Sequence, residues 1–390
     1  MVSTTEFDEL IEVLRDFIRR EVMPAEAGID ESDEIPGRLI AQAKEMGLYG
    51  YALPAEFGGL GLSVQQQVLV TMELGYTSPA FRSLFGTNNG IAGQVLVLAG
   101  TEEQRKQWLP RLASGEVVAS FALTEPDAGS DPSRLVTSAV PDDAPDAAPE
   151  AGPGGGWVID GLKRYITNAP AADIFMVFAR TDLAAPPGKG IGVFIVPARL
   201  DGVSVAAKDH KMGQAGAWTA DVSFSGVRVP RDALVGEAAA AGYSTAMRSL
   251  AHGRLIIAAL CAGVAARLID ESVTYARERS QGGHPIADYQ LVQAMLADSQ
   301  TEYMAARALV LDAAARYDAG TDQRLAPSAA KYFASEAVGR IADRAVQIHG
   351  GSGYMRGVPV ERLYRDVRLF RIYEGTSQIQ QLVIAREMLR

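Results

Sequence analysis

Apolar and polar positions divide the chain into three stretches of different rhythm. From the start to about residue 118 the spacing is helical. Phe7, Leu10, Ile11, Leu14 and Ile18 fall on one stripe at helical intervals. Acids crowd the beginning of that stripe and Arg15, Arg19 and Arg20 its end, the order a helix dipole favours. Further helices are expected over residues 36–46, 64–74, 81–99 and 102–113. Between 119 and 230 the character changes. Trp157-Val158-Ile159, Ile174-Phe175-Met176-Val177-Phe178 and Val193-Phe194-Ile195-Val196 are short, β-branched and aromatic, and Gly, Pro and Asp separate them. They predict an antiparallel barrel or sandwich, with nothing resembling a βαβ repeat. From 231 to 390 the pattern is helical again, with long segments over 243–279, 288–318 and 327–349. Residues 255–266 are apolar on every side, so a central bundle helix is expected there. The reading is an α+β chain of three domains: 1–118 helical, 119–230 β, 231–390 a helical bundle.

One segment of the β zone departs from this. Residues 141–156 hold Pro141, Pro145, Pro149 and Pro153, the acids Asp142, Asp143, Asp146 and Glu150, and three consecutive glycines. Such a composition cannot build a core, and a mobile hairpin loop is expected.

Composition narrows the chemistry. A length of 390 residues suggests two or three domains, and 48% apolar residues supply ample core. Lys plus Arg number 37 against 47 Asp plus Glu, a formal charge of −10, which suits nucleic-acid phosphates poorly. The single cysteine, Cys261, excludes an intrachain disulfide and any multi-cysteine metal site. The four histidines, His210, His252, His284 and His349, show no H-x-x-x-H spacing, so no metal is expected. The acidic start lacks a signal-peptide pattern, and the 255–266 run is shorter than the roughly 18 residues a membrane span needs. A cytoplasmic protein with no membrane contact is expected. Nucleotide motifs fail as well. Gly351-Ser352-Gly353 meets Arg356 where a third glycine belongs, and Gly188-Lys189 has Leu183 where a Walker glycine belongs. No G-x-S-x-G elbow exists.

Three polar, glycine-bearing segments remain. Phe121-Ala122-Leu123-Thr124-Glu125-Pro126-Asp127-Ala128-Gly129-Ser130-Asp131 reads either as a turn leaving a strand or as a loop whose amides hold a polar ligand. Gln347-Ile348-His349-Gly350-Gly351 reads as a helix stop or as a place of close ligand approach. Tyr373-Glu374-Gly375-Thr376-Ser377-Gln378-Ile379-Gln380 contains Ser377 and Gln380 at capping-box spacing. Glu374 then lies just before a helix start, either as a dipole-favoured surface charge or as a partly desolvated base.

These segments, in this order, resemble the acyl-CoA dehydrogenase family across essentially the whole chain. Leu53-Pro54-Ala55-Glu56-Phe57-Gly58-Gly59, Lys163-Arg164-Tyr165-Ile166-Thr167-Asn168 and Pro359-Val360-Glu361-Arg362-Leu363-Tyr364-Arg365-Asp366 add to the likeness. The resemblance implies a helical domain, a middle β-barrel and a C-terminal four-helix bundle, with FAD bound between the last two and no Rossmann fold. By position it implies flavin contacts from Phe121, Leu123, Thr124, Tyr165 and Thr167. Ser130 falls near phosphates or the pantetheine arm, Arg279 near FAD phosphate, and Gln290 among the cofactor-binding residues. Gln347, Gly350 and Gly351 fall near the ADP part of a neighbour's FAD, and Thr376 and Gln378 complete the nucleotide site. Arg254, Tyr373 and Gly375 join Ser130 around the substrate. Glu374 becomes the base that removes the α-proton of an acyl-CoA thioester, the β-hydride going to flavin. Some branches carry their base immediately before the bundle arginine; here that position is Gly253, which cannot serve. A homotetramer passing electrons to an electron-transfer flavoprotein is implied.

Two departures stand out. Arg279-Ser280-Gln281-Gly282-Gly283 has Gly282 where the family often has an aromatic, and Tyr165 replaces a tryptophan of some members. The alternatives are an oxygen-using acyl-CoA oxidase, a dehydrogenase of carrier-protein thioesters in biosynthesis, the nucleic-acid-associated branch of the fold, and a non-catalytic scaffold. The acidic charge opposes the nucleic-acid branch and an intact Glu374 opposes the scaffold.

Overall fold

A computed structural model describes residues 3–142 and 155–390. The body of the acidic insert therefore lies outside the described residues. Its edges do not begin a loop: Pro141 and Asp142 still pair with Trp157 and Gly156 in a ladder.

The first stretch is helical. Helix α1 (Thr4–Phe17) starts at a Ser3–Glu6 capping box and buries Phe7, Leu14 and Phe17. The chain continues through a π-turn at Ile18–Val22 into α2 (Glu26–Ser32), which the stripe does not predict. Then follow α3 (Gly37–Glu45), α4 (Val64–Leu74), α5 (Pro79–Asn89), α6 (Ile91–Ala99) and α7 (Glu102–Ala113). The single helix expected over 81–99 is two, because Gly90 leaves helical geometry at ψ −123°.

The middle stretch forms one curled sheet from β1 (Ala119–Ala122), β2 (Ser138–Asp142), β3 (Gly156–Thr167), β4 (Ile174–Arg180), β5 (Ile191–Pro197), β6 (Val203–Val205) and β7 (Thr219–Pro230). Its order is β1-β4-β2-β3-β7-β6, with β5 also on β4. Most ladders are antiparallel, as the hairpin-like spacing predicts, but β1 and β2 run parallel to β4. Strand β4 is buried on both faces, which explains its unbroken apolar run. Ile174, Met176 and Phe178 face the helices beside Leu109 and Leu112, whereas Phe175 and Val177 face the sheet core beside Phe224.

The last stretch holds α8 (Gly242–Glu278), α9 (Gln290–Asp318), α10 (Leu325–His349), α11 (Pro359–Val367) and α12 (Ser377–Met388). Helix α8 is long and apolar enough to cross a membrane by length and composition, contrary to the estimate from 255–266 alone. Its apolar window is 89% buried inside the protein, among α4, α9 and α10. Cys261 lies there, fully buried, and burial pushes its thiol well above the usual range. Gly263 lets α4 approach, since a Cβ there would meet the Met72 carbonyl at 2.1 Å. Polar ties join the stretches too. The buried Glu26 carboxylate accepts from Thr77 Oγ1 at 2.6 Å and from Arg362 of α11.

Candidate active site

A cavity of about 540 Å³ opens where the three stretches meet. Its walls come from α5 and α6, the β1 exit loop, the end of β3, α8, the turn before α12, and α12 itself.

The β1 exit loop is held from beneath. Lys163 is fully buried and donates to Glu125 Oε1 at 2.7 Å, Phe178 O at 2.6 Å and Leu123 O at 3.2 Å. Glu125 also accepts the Val136 and Thr137 amides at 2.6 and 3.0 Å. The turn expected from Pro126 and Gly129 is therefore a loop pinned by a buried ion pair, and Phe121, Leu123, Thr124 and Ser130 line the cavity along it. Opposite, β3 is irregular against β7 between Lys163 and Ile166. The bulge puts Tyr165 at φ 57° and leaves its ring 64% exposed on the cavity wall, with Thr167 close behind.

Glu374 closes the cavity from the C-terminal side. Its backbone lies in the left-handed region at φ 55°, followed by Gly375 at φ 90°. A non-glycine residue there needs support. Gln380 Nε2 donates to the Glu374 and Gly375 carbonyls at 3.0 and 2.9 Å, and Lys331 Nζ donates to the Gly375 carbonyl at 2.7 Å. Gln380 is thus not the capping-box partner expected. Thr376, one residue before Ser377, caps α12 by accepting from Ile379 N, and Ser377 Oγ donates to Glu336. The Glu374 residue has one edge open to the cavity, but its Oε2 is buried without a hydrogen-bond partner. Burial pushes the carboxyl up to about 7, against the opposing pull of Arg82, Arg254 and Lys331. Burial also pulls Lys331 down to about 8. The Glu374 backbone N–H donates to no described residue. Across from it, Gly253 of α8 leaves room for the carboxylate, because a Cβ there would stand 2.6 Å from Oε2. Arg254 lies beside it, touching Ser328 Oγ at 3.4 Å with its Nε unpaired.

The structure thus brings Phe121, Leu123, Thr124, Ser130, Tyr165, Thr167, Arg254, Tyr373, Glu374 and Gly375 to one cavity. The other candidate residues stand apart from it. Arg279 caps the far end of α8, 279 − 254 = 25 residues beyond Arg254 or about 37 Å along a helix. Gln290 starts α9, while Gln347, Gly350 and Gly351 are exposed at the end of α10. The α8 and α10 ends meet, since Tyr275 stacks on His349 at 4.1 Å. His349 Nδ1 donates to Ala345 O at 2.8 Å, a structural bond. Thr376 and Gln378 sit at the α12 start. Among the described residues no group of three or more metal-ligating side chains gathers.

Sequence reasoning missed Arg82, Lys331 and Gln380. Lys331 was findable, as a lysine on the stripe shared by Ala330, Ala334 and Val338. Arg82 carries a fainter mark, a glycine one turn later at Gly86.

The cavity has the features a planar aromatic cofactor needs. Tyr165 offers an uncovered ring, Phe121 and Leu123 an apolar floor, and the buried unpaired atoms of Arg254 and Glu374 have bonds left to make.

Comparison with known proteins identifies the family. Family models for the acyl-CoA dehydrogenase N-terminal, middle and C-terminal domains match residues 4–116, 120–227 and 240–389. A 3-(aryl)acrylate reductase of Clostridium sporogenes is 38% identical over 99% of both chains. The caffeyl-CoA reductase–Etf complex subunit CarC of Acetobacterium woodii is 38% identical over 96% of both. The butyryl-CoA dehydrogenase structure from Megasphaera elsdenii superposes with a TM-score of 0.92 at 31% identity, covering 100% of both chains. With all three domain models matched in order along it, the chain belongs to the acyl-CoA dehydrogenase family of FAD-dependent oxidoreductases.

Proposed function

We propose that the protein oxidises the Cα–Cβ bond of an acyl-CoA thioester to the trans-2-enoyl thioester, with Glu374 as the base. The observation that carries this is the Glu374 carboxylate: buried, unpaired at Oε2, poised near neutrality and facing the cavity. Its free backbone N–H is a donor for the thioester oxygen, stabilising the enolate as the α-proton leaves. Lys331 and Gln380 hold that N–H and the carboxylate in one orientation through the neighbouring carbonyls. Bound FAD would supply the two-electron acceptor for the β-hydride. Phe121, Leu123, Thr124, Tyr165 and Thr167 would hold its ring system, and Ser130, Arg254, Tyr373 and Gly375 the substrate. Because the base acts ionised, activity rises with pH through about 7.

Arg279, Gln290, Gln347, Gly350 and Gly351 are too far to serve the same cavity, and we assign them to the ADP part of FAD in a neighbouring subunit of a homotetramer. The meeting of the α8 and α10 ends supports treating them as one patch. Thr376 and Gln378 complete the nucleotide site at a helix N-terminus. Electron-transfer flavoprotein is the proposed acceptor, supported by the Etf-complex relative, and the proposed setting is cytoplasmic fatty-acid β-oxidation. A second reading, reduction of an enoyl thioester, is favoured by the two relatives named as reductases. The same groups would serve it in reverse, Glu374 giving its proton to Cα.

The test is anaerobic titration of the yellow holoenzyme with acyl-CoAs, and reoxidation with electron-transfer flavoprotein or oxygen. Bleaching by a saturated acyl-CoA with formation of the enoyl product is expected, and slow reoxidation by oxygen. Absence of bleaching across a panel of chain lengths refutes the reading. A companion variant, Gly253→Ala, should displace the carboxylate and lower kcat/KM by roughly 10²-fold while the protein still folds and binds FAD. Unchanged kinetics would show that the close approach of Gly253 is irrelevant.

A further inference from the structure

Lys331 carries more than the clamp behind Glu374 needs. The Gly375 carbonyl already accepts from Gln380 Nε2 at 2.9 Å, so a neutral amide serves to hold the turn. Lys331 nonetheless brings an ammonium to the same oxygen, at 2.7 Å, from the inner face of α10. It is fully buried, between Ser328 and Ser335 on one polar stripe of that helix. Among the described residues its three hydrogens find one acceptor and no ion pair. A buried charge without a counter-ion is a standing cost to the fold. Burial pulls the group down only to about 8, so the ammonium persists at neutral pH.

The groups that face Lys331 say what the charge acts on. They are Cys261 and Arg254 from α8, Glu374 from the turn, and Glu336 from its own helix. Burial keeps the Cys261 thiol neutral, and Arg254 repels the ammonium. Glu336 is already engaged, by Ser377 Oγ at 2.6 Å and Arg371 Nη1 at 3.4 Å. Glu374 is the remaining acid. Arg82 from α5 and Arg254 from α8 also act on it, and burial keeps the neighbouring Tyr373 phenol neutral. When Glu374 takes the α-proton, the Cα–H bond breaks and its electron pair passes toward the thioester oxygen. One negative charge therefore stays in the cavity throughout that step and only changes place. Resting on the dehydrogenase reading above, we propose that Lys331 is a positioning residue for this charge: from behind the Glu374–Gly375 turn its ammonium favours first the carboxylate and then the enolate.

The test uses two ligands on the holoenzyme. A saturated acyl-CoA reads the rate. A 3-oxoacyl-CoA, whose α-hydrogen is acidic enough to leave without hydride transfer, reads the charge through the absorbance of its bound enolate against pH. In Glu374→Gln, where residue 374 takes up no proton, adding Lys331→Met should raise the pH at which the bound ligand becomes enolate by about one pH unit. Adding Lys331→Arg instead should leave that pH near its starting value. With Glu374 in place, Lys331→Met should move the acid limb of kcat/KM upward to a similar extent, roughly a tenfold loss below the limb. Lys331→Gln should do the same, and it carries the comparison with Lys331→Arg if the methionine variant does not fold. A role confined to the clamp predicts lower rates and a lower melting temperature, with the limb and the enolate titration unmoved; that result refutes the proposal, as does a variant unchanged in every respect. In either case the dehydrogenase reading stands so long as the wild-type flavin is bleached. If no saturated acyl-CoA bleaches it, the dehydrogenase reading is what fails.

Discussion

Glu374→Gln should yield a yellow, folded holoenzyme whose flavin reduction by acyl-CoA is slower by at least 10²–10⁴-fold, roughly the worth of a positioned base. Glutamine keeps the shape and the half-open edge toward the cavity. Little stability is at risk, because Oε2 has no partner to lose and the backbone is fixed independently by Lys331 and Gln380. What disappears is the site that takes the proton. Anaerobic stopped-flow absorbance of flavin reduction, with a thermal melt as control, decides the matter. The wild-type rate should also fall as the pH drops below about 7, where the carboxyl becomes protonated, and the variant should show no such limb. A variant that reduces flavin at nearly the wild-type rate would remove Glu374 from the chemistry.

The largest effect on stability is expected at Lys163→Met. Lys163 and Glu125 are both buried, and the methionine removes the ammonium while leaving the Glu125 carboxylate behind. Breaking one side of a buried pair costs about 3–5 kcal/mol. Here the Leu123 and Phe178 carbonyls lose a donor as well. A fall in Tm of roughly 4–6 °C should follow in calorimetry of the holoenzyme. FAD should bind more weakly too, because the pinned loop is the cavity floor. Adding Glu125→Gln should recover much of the loss, since the stranded charge is then gone. The native pair has an acid side of its own. Burial alone would raise the Glu125 carboxyl, but Lys163, Thr137 and the Val136 amide hold it below its usual range. Its contribution is complete above the unfolded carboxylate pKa and is lost as pH falls through the lowered folded value. A Lys163→Met protein as stable as the parent would mean that the pair is only packing.

Much of the fold is legible in the chain. The stripe of Phe7, Leu14 and Ile18 and the capped segment 64–74 state their helices through spacing alone. The unbroken run in β4 identifies a strand buried on both faces. Legibility ends where structure depends on distant neighbours. Gly90 breaks one helical pattern into two, yet a lone glycine inside such a pattern usually costs only about 1 kcal/mol. The parallel pairing of β1 with β4 has no local signature. At the site, Glu374 and its flanking motif can be read directly, but the clamp that holds it cannot. Gln380 fits a capping box by spacing and instead reaches back to two carbonyls, while Lys331 arrives from a helix more than 40 residues earlier. Arg82 lies 292 residues before Glu374 in the chain, and only the tertiary fold brings both to the wall of one cavity.

The buried thiol has a practical corollary. Cys261 is the sole cysteine of the chain and lies sealed in the bundle core, where its thiolate is strongly disfavoured. The wild-type sequence is therefore already a silent background for thiol chemistry. One cysteine placed at an exposed position would be the only reactive handle, so that spin labels or fluorophores can follow each helix without first stripping native cysteines from the molecule.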